Sequence, residues 1–176
     1  RQQRLVDELL PQVRLPLDRI GLDMTPSEPA ALAGSLVPNT RETWLEIGFG
    51  GGEHLVAQAA AHPDVAFIGC EPFIDGVVKV LSKIEDEHLG NIRLYDDDAR
   101  EVLRLLPSAT IARAFILFPD PWPKTRHRKR RLVSEATLAL LARVMKPGAV
   151  LRVATDIGDY AHTILEAVAR QDAFRW

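Results

Sequence analysis

The chain has 176 residues, 47% hydrophobic, 26% charged and 6% aromatic, with 22 basic against 24 acidic side chains and a formal net charge of −2. That length and composition suit one soluble domain with one core, and neither a membrane-spanning apolar run nor a signal peptide is expected. The single cysteine, Cys70, excludes an internal disulfide framework and a cysteine-based zinc site, so a reducing cytoplasm is the default compartment.

Residues 1–40 are rich in proline and arginine (Pro11, Pro16, Pro26, Pro29, Pro38; Arg1, Arg4, Arg14, Arg19) and show no sustained periodicity. They read as an irregular N-terminal arm wrapping the core, cut from a longer parent at Arg1. From residue 41 to 176 the pattern becomes strand alternating with helix. Short apolar runs at 44–47, 65–70, 92–95, 112–118 and 149–154 suit buried strands. Residues 53–61, 73–87, 99–106, 132–145 and 158–171 read as helices, the fourth of them stopped by Lys146-Pro147-Gly148. Such alternation predicts an α/β fold with a doubly wound, mainly parallel, Rossmann-like sheet, and ligands at the carboxyl ends of its strands.

The first strand runs into Glu46-Ile47-Gly48-Phe49-Gly50-Gly51-Gly52. Glycines there permit positive φ and let a ligand press on bare backbone. A dinucleotide loop would carry its third glycine where this chain has Glu53, and an acid there would repel a pyrophosphate. The pattern E-x-G-x-G-x-G instead resembles motif I of class I S-adenosylmethionine methyltransferases, whose cofactor carries an amino group and a sulfonium. Glu71 ends the second strand, near the spacing at which an acid chelates ribose hydroxyls. Asp98-Ala99 follows the third strand, where such enzymes commonly contact the adenine amino group. The run Asp96-Asp97-Asp98 lacks the further ligands that calcium requires, and the five histidines show no metal-ligand spacing, so no metal is expected.

The fourth strand leads into Phe118-Pro119-Asp120-Pro121-Trp122-Pro123 and then Lys124-Thr125-Arg126-His127-Arg128-Lys129-Arg130-Arg131. Three prolines in five residues stiffen the chain and hold Asp120 and Trp122 at the sheet mouth. The eight residues after them hold six cations and no acid; with those six set aside from the total of −2, the rest of the chain carries −8. An acidic body with one dense basic block engages a polyanion locally while repelling it elsewhere. Trp122 reads either as a stacking platform for a nucleobase or as a packing residue.

This stretch resembles the signature of the bacterial tRNA (guanine-N7-)-methyltransferase family, F-P-D-P-W-x-K-x-R-H-x-K-R-R. The glycine loop from Glu46 to Gly52 and the A-T-D-x-x-x-Y pattern at Ala154, Thr155, Asp156 and Tyr160 resemble the same family. The resemblance spans about residues 44–171. It implies an S-adenosylmethionine-dependent enzyme, releasing S-adenosylhomocysteine, that methylates N7 of guanine 46 in the variable loop of tRNA. It implies cofactor positions Glu46, Gly48, Gly50, Glu71, Asp98, Ala99 and Asp120, with Asp120 also catalytic. Lys124 and Asp156 become substrate contacts. Arg126, His127, Arg128, Lys129, Arg130 and Arg131 become the RNA segment beside Trp122. Family members continue to further strands, whereas five are expected before Trp176. A methyltransferase of a small acidic molecule and a non-catalytic RNA-binding module are the competing readings; the sequence leaves monomer or homodimer open.

Overall fold

Runs of branched and aromatic residues form the strands of a parallel sheet in the computed structural model, which describes residues 1–20 and 29–176. Strands β1 (Glu42–Ile47), β2 (Val65–Cys70), β3 (Ile92–Tyr95), β4 (Ile111–Leu117) and β5 (Met145–Ala154) lie in the order β3-β2-β1-β4-β5. Each neighbouring pair is parallel. Strand order reverses between β1 and β4, so a crevice opens there at the carboxyl ends.

The described part of the N-terminal arm is largely helical, not irregular. It comprises α1 (Gln2–Arg4), a π-helical turn (Leu5–Leu9), α2 (Leu10–Val13), α3 (Leu17–Ile20) and α4 (Pro29–Leu36); residues 21–28 lie outside the described residues. The π turn explains the hidden pattern: Leu10 N–H donates to Leu5 O, so Leu5 and Leu10, five residues apart and off the 3.6-residue repeat, are both buried with Val13. Arg1 and Arg4 reach Asp86 and Glu85, Arg14 pairs with Asp96 at 2.7 Å, and Leu15 N–H donates to Leu94 O at 2.8 Å along the outer edge of β3. Tertiary anchoring of this kind, not local propensity, stabilises short helices.

Five further helices cover the sheet: α5 (Glu53–Ala61), α6 (Ile74–Glu87), α7 (Ala99–Leu105), α8 (Glu135–Val144) and α9 (Gly158–Ala169). Side chains alternate across each strand. Leu45 and Ile47 of β1 face the cluster containing Leu36, Val102, Leu141 and Ile164, whereas Trp44 faces Leu55, Val56, Val77 and Val80. Burying each such aliphatic side chain stabilises the fold by about 1.5–3 kcal/mol. Two boundaries differ most from expectation. Helix α8 starts only at Glu135 because Ser134 caps it, accepting from Thr137 N–H. The Lys146-Pro147-Gly148 stop lies inside β5, in an out-of-register segment between the pairs Ile111↔Met145 and Arg113↔Val150, where Gly148 has φ +78°.

Candidate active site

Beyond β1 the chain turns through Gly48 and Gly50, whose φ values of +72° and +53° disfavour other residues. A Cβ on either glycine would meet nothing within 4 Å, because both border a cavity of about 700 Å³ at the strand-order reversal. Glu71, buried at the end of β2, holds this turn: its carboxylate accepts from Gly50 N–H at 2.8 Å and from Phe73 N–H at 3.0 Å. Helix α6 presses on the turn through Gly76, where a Cβ would stand 2.4 Å from Gly50 O. A glycine inside a helical run costs about 1 kcal/mol against alanine, and that oddity is the signal in the sequence for such a close approach.

Asp98 follows β3 and caps α7, accepting from Arg100 N–H at 2.9 Å. The Arg100 guanidinium hydrogen-bonds the same carboxylate and holds it below its ordinary pKa. Asp98, Ala99 and Asp120 line the cavity together with Gly48, Gly50 and Glu71. Cys70 lines it too, with burial pushing its thiol far upward, so it offers a small protonated wall and no thiolate. Glu46 is the one expected cofactor residue that the cavity wall does not include. It shares the Trp44 face of β1, is buried, and its Oε2 lies 2.6 Å from Nδ1 of His54 on α5.

The opposite wall comes from β4. Phe118 N–H donates to Ala154 O at 2.8 Å, extending the pairing with β5, and the chain then breaks away. Phe118 and Trp122 take left-handed φ values of +52° and +41° on either side of Asp120. Such backbone costs of order 1–3 kcal/mol per residue and persists only where its surroundings impose it. Prolines 119, 121 and 123 do part of this. Arg131 tethers the turn at the Pro121 carbonyl.

Arg131 is a correction to the sequence reading. Expected on the RNA side with its neighbours, it is 4% exposed and turned into the protein. Its Nε donates to Pro121 O at 2.8 Å, Nη1 to Thr163 Oγ1 at 2.7 Å and Nη2 to Asp159, and its guanidinium lies over the Tyr160 ring. Tyr160 is wholly buried and its hydroxyl accepts from Val133 N–H. Asp159 pairs also with Arg128, at 2.9 Å. Nothing in the sequence pattern singles out Asp159 or Thr163.

The rest of the basic block forms a 3-10 helix, Thr125–Arg130, at the cavity rim. Lys124, Arg126, Arg128, Lys129 and Arg130 are exposed and His127 is half-buried. Arg130 lines the cavity and lies over Trp122, 5.0 Å from its ring centroid, while His127 meets the same ring edge-on. Lys124 and Asp156 are exposed and stand outside the cavity wall, Asp156 just beyond β5. Phe73 and Phe118 line the cavity with most of their surface exposed; Phe118 opens the F-P-D-P-W signature, whereas no motif points to Phe73. Both walls of the site are therefore acidic, with Glu71, Asp97 and Asp98 on one and Asp120 on the other, and the basic helix stands at its mouth.

Residues 40–176 match the family model described as "Putative methyltransferase". The whole chain is 51% identical to the tRNA (guanine-N(7)-)-methyltransferase of Caulobacter sp. (strain K31), spanning 73% of that relative. Over 175 residues it is 49% identical to the protein of the same name from Nitrobacter hamburgensis, spanning 66% of it. The chain belongs to the tRNA (guanine-N(7)-)-methyltransferase family. Solved structures share its fold: the 16S rRNA methyltransferase KamB superposes with a TM-score of 0.57 at 20% identity, over 88% of this chain and 70% of that one. A SAM-dependent O-methyltransferase from Thermotoga maritima superposes with a TM-score of 0.57 at 14% identity, over 94% and 55%. The doubly wound plan expected from the sequence is thus the methyltransferase fold of this family.

Proposed function

We propose that the chain transfers a methyl group from S-adenosylmethionine to N7 of guanine 46 in the variable loop of tRNA, in the cytoplasm. One observation carries the reading: a single cavity joins the glycine turn, Glu71 and Asp98 to Asp120, and opens beside the basic helix. The glycine turn suits the cofactor because its bare backbone faces open space, and the acidic walls suit an amino group and a sulfonium. Glu71 is assigned to the ribose hydroxyls, Asp98 and Ala99 to the adenine, and Gly48 and Gly50 to close backbone contact. Glu46 lies outside the cavity wall and bonds His54 of α5, so it is assigned no direct cofactor contact.

Bound S-adenosylmethionine supplies an electrophilic methyl group and leaves as S-adenosylhomocysteine. Guanine N7 carries a lone pair and no proton, so the chain needs no strong general base. It must hold the base in line and keep water out. Methylation makes the base cationic, and Asp120 is assigned to stabilise that developing charge. Asp156 is assigned to accept from the guanine N1–H and amino group, with Trp122 beside the flipped base. Lys124, Arg126, Arg128, Lys129 and Arg130 hold phosphates, which gives salt-sensitive affinity and little base information.

Incubation with methyl-labelled S-adenosylmethionine and unmodified tRNA, followed by nucleoside analysis, tests the assignment. It predicts labelled N7-methylguanosine. Intact tRNA binding without incorporation favours a non-catalytic RNA module, and label on a small acidic molecule favours the other competing reading.

A further inference from the structure

Asp159 lies on α9, at an unspecified position of the A-T-D-x-x-x-Y pattern, yet one carboxylate engages two members of the basic block. Its Oδ1 accepts from Arg128 at 2.9 Å and its Oδ2 from Arg131. Arg131 is the side chain that holds the Pro121 carbonyl, between Asp120 and Trp122. Those two residues line the cavity, and Trp122 carries a left-handed backbone that needs external support. Arg128 belongs to the rim helix, whose Arg130 covers the Trp122 ring. Both routes from Asp159 therefore end at the same turn.

We infer that Asp159 is a positioning residue for methyl transfer: through Arg131 it fixes the 119–123 turn that presents Asp120 and Trp122, and through Arg128 it anchors the rim helix against that turn. The inference rests on the functional reading above and adds to it a residue that touches neither cofactor nor base. Arg131 has donors for three acceptors at once, and its planar fork satisfies Pro121, Thr163 and Asp159 in one geometry. Removing the Asp159 carboxylate leaves the guanidinium buried with only neutral acceptors, free to rotate away from Pro121. The turn then loses its tether while the Glu71 and Asp98 side of the cavity keeps its own hydrogen bonds.

The test uses the chain labelled with fluorotryptophan, whose three tryptophans, Trp44, Trp122 and Trp176, give three fluorine resonances assigned by single substitutions. Asp159→Ala should shift or broaden the Trp122 resonance, leave those of Trp44 and Trp176 in place, and be reversed by Asp159→Glu. Turnover at saturating tRNA and S-adenosylmethionine should fall up to about 100-fold in Asp159→Ala with cofactor affinity retained, the scale of a ~1 Å misplacement. Should Asp159→Ala not fold, Asp159→Asn, which keeps the side-chain size and removes the charge that both arginines pair with, is read in the same way. A Trp122 resonance at its wild-type position overturns the inference whatever the activity, and so does a shifted resonance with turnover unchanged. A wild type that leaves guanine N7 in tRNA unmethylated defeats the functional reading instead, with the resonance test unaffected.

Discussion

The Gly50 N–H donates to the Glu71 carboxylate at 2.8 Å, tying the end of β1 to the end of β2. The same carboxylate that is assigned to the ribose thus also shapes the turn that the cofactor lies against. Glu71→Ala leaves the Gly50 and Phe73 N–H groups without their acceptor, which costs about 1–3 kcal/mol of stability. Titration calorimetry should show S-adenosylmethionine affinity falling about tenfold or more, the equivalent of one such bond, with tRNA affinity retained. Unchanged cofactor affinity would remove Glu71 from the site.

Asp120 stands in the cavity wall between two residues of strained backbone. Asp120→Ala should lower single-turnover methylation about 100-fold, the scale of losing one preorganised electrostatic contact, while cofactor and tRNA still bind. Full turnover in this variant would withdraw the catalytic assignment.

Neighbouring arginines should behave oppositely. Arg130→Ala, at the exposed rim, should weaken tRNA binding and reduce the slope of log K against log salt by about 1, with thermal stability kept. Arg131→Ala removes a buried donor set and should cost about 1–3 kcal/mol of folding stability, seen in denaturant titration. Equal stability of the two variants would contradict the inward placement of Arg131.

Burial pushes the Glu46 carboxyl above its ordinary value of 4.5, with the His54 hydrogen bond pulling the other way. An acid so raised binds its proton more readily in the folded chain than in the unfolded one. Its contribution to stability is therefore greatest below pH 4.5 and declines as pH rises through the folded-state value. The unfolding free energy of wild type minus that of Glu46→Gln should decrease with rising pH across this window. A difference that grows with pH would contradict the buried placement.

The strands and their meeting point were legible because a parallel sheet buried on both faces writes continuous apolar runs and delivers every carboxyl end to one edge. Glu46 shows a finer rule at work: two residues after Trp44, it shares that residue's face, so strand parity alone directs it toward α5. Arg131 was not legible. Six cations in eight residues look alike until partners elsewhere draw one inward, and Asp159 lies 28 residues from Arg131. The arm hid for another reason: its π turn spaces Leu5 and Leu10 five apart, outside the periodicities by which helices are read.

The central claim is that this cavity brings a methyl donor to N7 of one tRNA guanine. Replacing guanosine 46 of an unmodified tRNA by 7-deazaguanosine exchanges the attacking nitrogen for a C–H and leaves the Watson–Crick edge unchanged. The account predicts that this tRNA binds as the parent does and takes up no label, whereas the parent yields N7-methylguanosine. Incorporation that persists in the 7-deaza substrate would contradict it.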